Sequence, residues 1–168
     1  AISTIVRPEA ILFDLDGVLA DVSASYRAAI RQTAQHFGVD VTTEDIDTIK
    51  AAGDANNDWV VTWRLLNAAG VNTSIEAVTE VFEALYQGTE NGDPLYRSEQ
   101  FIGCLDTLIE LNTQYRLAIV TGRPREDAER FLGDFNIRGL FDAVICMEDG
   151  PPKPSPAPVH TALSALGV

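Results

Sequence analysis

The sequence predicts an α/β fold, a doubly wound parallel sheet carrying an inserted block of α-helices. Three observations carry that expectation. Apolar runs at Ala10–Asp14, Arg116–Thr121 and Ala143–Met147 read as strands covered on both faces, as strands of a parallel sheet are. A helical pattern separates the last two runs, which is the alternation of a βαβ unit. The long stretch between the first and second runs is helical throughout.

Taken in order, Ala10–Asp14 (AILFD) leads into acidic residues and Gly17, the form of a buried strand that delivers a loop at its C-terminal end. Val22, Tyr26, Ala29, Ile30, Thr33 and Phe37 then recur at three- and four-residue steps until Gly38 stops the run, predicting one amphipathic helix. Further helices are predicted over Glu44–Ala52, Asn56–Ala69 and Ile75–Tyr86, each closed by a glycine or an Asn/Thr/Ser cluster. After the turn-rich Gly88–Pro94 come helix Gly103–Leu111, strand Arg116–Thr121, helix Arg125–Phe135 and strand Ala143–Met147. Five of the eight prolines fall between Pro151 and Pro158, before a short helix over Val159–Leu166. The predicted division is a core of residues 1–20 and 99–168 and a helical cap of residues 21–98.

The chain has 168 residues, 46% of them hydrophobic, enough for one compact domain with an insertion. No apolar run approaches the roughly 20 residues of a membrane span, and no secretory leader pattern opens the sequence, so a cytoplasmic protein is expected. Cys104 and Cys146 lie in apolar runs without metal-ligand spacing and read as buried thiols. A net charge of −13 disfavours nucleic acid and anionic membranes as partners, so a phosphorylated substrate would need a local cationic site. Ten of the twelve basic residues are arginines; adaptation to a saline cytoplasm and a GC-rich genome both account for that.

Three polar clusters fall at or just beyond the C-terminal ends of apolar segments: Asp14-Leu15-Asp16-Gly17, Thr121-Gly122-Arg123 and Lys153-Pro154-Ser155-Pro156. In a parallel sheet those ends share one edge, so the clusters are expected to converge. Around a phosphate, one carboxylate attacks phosphorus, a second handles protons, and a hydroxyl and an ammonium hold the remaining oxygens. Oxygen ligands beside phosphate suit Mg²⁺. A calcium loop fits poorly, because Gly17 stands at the fourth position where an EF-hand needs glycine at the sixth.

Asp14-Leu15-Asp16-Gly17-Val18-Leu19-Ala20-Asp21 resembles the first motif of the haloacid dehalogenase superfamily in its phosphatase form. Ile119-Val120-Thr121-Gly122-Arg123 resembles the second motif and Lys153-Pro154-Ser155-Pro156 the third, with the helical insertion where that family places a small cap. Phe101-Ile102-Gly103 is similar to the family's re-entry from cap to core. The resemblance covers essentially the whole chain. It implies a Rossmann-like core and a Mg²⁺-dependent phosphatase of small phosphorylated metabolites. Asp14 would be the nucleophile and, with the Asp16 backbone carbonyl, a metal ligand. Asp16 would be the acid and base, Thr121 and the Gly122 amide would hold the phosphoryl group, and Lys153 would offset charge. Arg123 is read either as a phosphate contact or as a surface charge, and Asp21 as shaping the hinge between core and cap. The second aspartate disfavours carbon–halogen cleavage, which needs no proton donor, and it also disfavours phosphonate cleavage by a cap lysine.

In the cap, Asn56-Asn57-Asp58-Trp59 with Arg64 reads first as a helix start, with Asn57 capping free amides. The functional alternative is that Asn57, Trp59 or Arg64 reads the substrate's leaving group. Trp59 and Trp63 read as core. The family's fourth motif, an acidic pair after another strand, does not occur before Val168, and Glu148 and Asp149 follow a strand placed away from the first. The core therefore reads as truncated at its C-terminus, with weak activity of the chain alone and self-association through an exposed sheet edge as expectations. The rival readings are a non-catalytic binding or assembly module and a sugar phosphomutase.

Overall fold

A computed structural model of the chain describes residues 8–53, 57–89 and 92–168. Its strands are β1 (Ala10–Phe13), β2 (Ala20–Asp21), β3 (Gln100–Phe101), β4 (Arg116–Val120) and β5 (Ala143–Ile145). Its helices are α1 (Tyr26–His36), α2 (Thr43–Ala51), α3 (Asp58–Ala68), α4 (Ile75–Gln87), α5 (Leu105–Gln114), α6 (Arg125–Asp134) and α7 (Ala157–Leu166). The chain divides into two compact units, Ala1–Ala20 with Phe101–Val168, and Asp21–Gln100.

The first unit is built on a parallel sheet in the order β1-β4-β5. Strand side chains alternate between faces, and both faces of β4 are covered. Ala118 and Val120 pack with Ala143, Ile145 and the α7 residues Ala162 and Leu166, while Leu117 and Ile119, on the alternate face, are wholly buried. That two-sided burial is why the strand reads as a continuous apolar run. Phe13 of β1 stands beside Ile119 of β4, so the residues that follow both strands emerge on one edge. Among the described residues, β4 is the only strand paired with β1.

Several boundaries differ from the pattern in the sequence, each for a local reason. The strand expected to reach Met147 stops at Ile145, because the Asp149 carboxylate accepts the Cys146 amide at 2.7 Å and draws Met147–Asp149 into a 3₁₀ turn. The helix expected from Gly103 begins at Leu105. Gly103 instead lies against the Phe101 ring, where an added Cβ would stand 2.6 Å from a ring carbon. Helix α1 begins at Tyr26 rather than Val22, because Val22–Ser25 form a turn. The Asp21 carboxylate accepts from both the amide and hydroxyl of Ser23, which holds it below the usual carboxylate range. The pairing of β2 with β3 has no precedent in the sequence pattern, since two-residue strands are too short to show alternation.

The second unit has a core of its own. Tyr26, Ala29, Ile30 and Ala34 of α1 meet Ile46 of α2, Val61, Leu65 and Leu66 of α3, and Val78, Phe82 and Tyr86 of α4. Tyr26 and Tyr86 stack with ring centroids 4.5 Å apart. Trp59 and Trp63 pack at the margin of this core, their indole N–H groups donating to Glu83 and to the Thr73 carbonyl. Side chains cap three of the helices: Thr42 with Asp45 as a capping box on α2, Asn57 on α3 and Ser74 on α4. The buried Glu99 carboxylate accepts from the hydroxyls of Ser25 and Tyr86, each at 2.9 Å.

Candidate active site

The loop after β1 is shaped by one buried side chain. Leu15 is wholly buried, and its carbonyl accepts from the amides of Val18, Leu19 and Ala20, folding the chain back within four residues. Gly17 takes φ +74° in that turn, a conformation other residues adopt at a cost. The residues on either side of Leu15 stay accessible: the Asp14 side chain keeps 44% of its exposure and the Asp16 side chain 37%. Two carboxylates spaced by one apolar residue are thus presented while the residue between them anchors the loop.

Strand β4 delivers the second cluster. Thr121 is 5% exposed, and its hydroxyl oxygen accepts the Arg123 amide at 3.1 Å, turning the chain at half-buried Gly122. The Thr121 amide itself donates to the Ile145 carbonyl of β5 at 2.9 Å. The third cluster enters on the loop before α7. Lys153 Nζ lies 2.8 Å from Asp14 Oδ2 and 3.4 Å from the Val120 carbonyl oxygen, so the ammonium bridges the ends of β1 and β4. Asp14 Oδ1 accepts the Leu15 amide at 2.8 Å.

Of the two alternatives the sequence left open for Arg123, burial removes the surface charge. Its side chain is 1% exposed, and its Nε and Nη2 lie 2.7 and 2.6 Å from Asp16 Oδ1. The guanidinium carbon sits 5.1 Å from the centre of the Phe131 ring on α6. It is not a surface charge; its guanidinium meets Asp16 and an aromatic face. Phe131 was not singled out from the sequence. Arg123 precedes α6, which begins at Arg125, so no helical spacing relates the two and only the fold brings them together.

The structure therefore brings Asp14 to Lys153, Asp16 to Arg123, and Thr121 to Arg123, all within the first unit. The candidates in the second unit, Asn57, Trp59 and Arg64, make contacts within that unit. Asn57 accepts the Trp59 and Val60 amides at 2.9 and 3.3 Å as the cap of α3, and Arg64 donates to the Gly53 carbonyl at 3.0 Å. Asn56 lies outside the described residues. Glu148 accepts the Arg125 amide, and Asp149 pairs with the Arg125 guanidinium and the Cys146 amide, beyond β5 on the far side of β4 from β1. The accessible donors at the loop after β1 are oxygens, and the described residues hold no group of three or more His, Cys, Asp or Glu arranged for a metal. That donor set fits Mg²⁺, which binds through one or two carboxylates and keeps water and substrate phosphate in its remaining positions.

The family described as haloacid dehalogenase-like hydrolase matches residues 11–168. The chain is 52% identical over 166 residues to a Phytophthora nicotianae protein named imidazoleglycerol-phosphate dehydratase; the match covers 95% of this chain but only 37% of that protein. It is 30% identical over 159 residues to phosphoglycolate phosphatase of Aquifex aeolicus, covering 94% of this chain and 70% of that one. A solved haloacid dehalogenase-like hydrolase from Bacteroides fragilis superposes with TM-score 0.76 at 21% identity, covering 96% of this chain and 74% of that chain, a likeness of fold.

Proposed function

The chain belongs to the haloacid dehalogenase-like hydrolase family, and from that premise we propose that it is a phosphatase of small phosphorylated metabolites, working through an aspartyl-phosphate on Asp14. The observation that carries the proposal is the approach of Lys153 Nζ to Asp14 Oδ2 at 2.8 Å, beside a second carboxylate two residues on. The phosphatase name of the 30%-identical relative supports the same reading.

In the first half of the reaction, an Asp14 oxygen bonds to phosphorus while the bond from phosphorus to the ester oxygen breaks. The leaving oxygen keeps the electron pair and takes a proton from Asp16. In the second half, water gives a proton to Asp16 and attacks phosphorus, and the bond to Asp14 breaks to release orthophosphate and the free carboxylate. Lys153 lowers the cost of bringing an anionic phosphate against an anionic nucleophile, and Thr121 with the Gly122 amide contacts the phosphoryl oxygens as charge builds. Mg²⁺ would be held by the Asp14 carboxylate and the Asp16 backbone carbonyl, where it supplies charge neutralisation to the phosphate. The net charge of −13 makes these local cations the means of drawing in an anionic substrate.

The test is phosphate release over a panel of phosphorylated metabolites with Mg²⁺, run beside Asp14→Asn. The proposal expects turnover of at least one substrate that the variant loses. Turnover that survives the substitution would refute the nucleophile, and with it the mechanism.

A further inference from the structure

Arg123 is the only basic residue that is buried among those described, and what it touches defines a role the motif alone does not give it. We infer that Arg123 is the positioning residue of Asp16: it fixes that carboxylate for both proton transfers and does not serve as a phosphate contact. The inference rests on the phosphatase reading above.

A guanidinium with 1% exposure cannot turn to meet a solvent-borne phosphate without leaving its pocket, whereas Lys153, at 31%, already stands at the accessible carboxylate. Arg123 is held from three directions. Its amide donates to the Thr121 hydroxyl oxygen at 3.1 Å, and its carbonyl accepts the Met147 amide at 2.9 Å. Its planar head lies against Phe131, 5.1 Å from the ring centre. The rotamer freedom of a long side chain is therefore spent on folding, before any substrate arrives. Asp16 follows the anchor Leu15 and precedes a glycine in a left-handed turn, and its side chain keeps 37% of its exposure, so the Arg123 guanidinium meets a carboxylate that also faces the accessible side. The Nε–H donates to Asp16 Oδ1 at 2.7 Å and Nη2 brings the positive charge to 2.6 Å from the same oxygen, which together set the reach and direction of the carboxylate. Arginine does this with its rigid fork and its stacking face, and lysine, a point charge, has neither. Proton transfer demands donor and acceptor within hydrogen-bond reach, and displacement of about 1 Å costs on the order of a hundredfold in rate.

The role predicts a dependence on the leaving group. An alkyl phosphate needs a proton on the departing alkoxide, whereas p-nitrophenyl phosphate leaves as a stable phenolate. Arg123→Ala is expected to cut turnover of an alkyl phosphate about 10²-fold or more, while formation of the phosphoenzyme from p-nitrophenyl phosphate falls less than about tenfold. With the aryl substrate, the slowed attack of water makes p-nitrophenolate appear as a burst equal to the enzyme, with the aspartyl-phosphate trapped on Asp14. Arg123→Lys, which keeps the charge but not the fork, should show the same pattern more weakly, and it carries the comparison if Arg123→Ala does not fold. Equal losses in the rate of phosphoenzyme formation from the two substrates, a loss confined to KM, or unchanged kinetics would each overturn the positioning role. Asp14→Asn separates the two claims. If it abolishes turnover and the Arg123 variants show no leaving-group dependence, only this inference fails; if the parent has no Asp14-dependent turnover, both fail.

Discussion

The ammonium of Lys153 and the carboxylate of Asp14 stand 2.8 Å apart although they lie near opposite ends of the sequence. The pair forms because β1 and β4 end on the same edge and the loop before α7 returns to that edge, with the Val120 carbonyl as a second partner for the ammonium. Lys153→Met should therefore reduce phosphate release about 10²-fold or more. Because both side chains are substantially exposed, the melting temperature should change little, so activity and thermal unfolding measured together isolate the electrostatic loss.

Thr121 offers a separation of hydroxyl from methyl. Its oxygen accepts the Arg123 amide at a 5%-exposed position, so Thr121→Val leaves a buried donor unmatched and should cost about 1–3 kcal/mol in a urea titration. Thr121→Ser keeps the acceptor and should recover most of that stability and of the turnover. A loss in Thr121→Ser with none in Thr121→Val would show that the methyl group, not the hydroxyl, holds the turn.

Asn57 is assigned by its contacts to helix capping. Asn57→Ala should lower stability by about 1 kcal/mol through the loss of two amide contacts on α3. KM for any substrate found should not move; a severalfold rise with unchanged stability would return Asn57 to the substrate.

The two thiols should differ sharply in reactivity. Burial pushes the Cys146 thiol up to about 11, whereas Cys104, exposed rather than buried as its apolar run predicts, is lowered by the hydroxyl and amide of Thr107. A thiol reagent at about pH 8 should label one cysteine in the native chain and both after unfolding. Cys146 is held neutral in the fold, so its contribution to stability is complete below the ordinary thiol range. It is lost as pH rises toward about 11, where the unfolded chain has already ionised. Denaturation midpoints measured across that alkaline range should fall in Cys146 parents and fall less in Cys146→Ala.

Gly103 is needed for space. A Cβ there would stand 2.6 and 2.7 Å from two ring carbons of Phe101 and 3.2 Å from Leu19, so Gly103→Ala should destabilise the chain by about 1–3 kcal/mol. Phe101→Leu in the same background should restore part of the loss, as read by thermal unfolding.

What the sequence makes legible is what depends on covered apolar runs. β1, β4 and β5 are visible as such runs, and Asp14, Thr121 and the residues after them are visible because polar side chains begin where those runs stop. The cap helices are legible through the recurrence of Tyr26, Ile30 and Phe82-type positions on single faces. Features decided by one side chain reaching elsewhere are not. Asp149 takes the Cys146 amide and shortens β5, the Phe101 ring displaces the start of α5, and Arg123, a charge by composition, is buried because Asp16 and Phe131 receive it. None of these leaves a periodic trace, since each is a single contact, local for Asp149 with Cys146 and for Phe101 with Gly103, and long-range for Arg123 with Asp16.

The five side chains argued to perform or support the reaction, Asp14, Asp16, Thr121, Arg123 and Lys153, reside in one of the two units, and the other has an independent interior sealed around Phe82 and Tyr86. The helical insert could thus be rebuilt around a different interior without altering the packing that holds Lys153 beside Asp14.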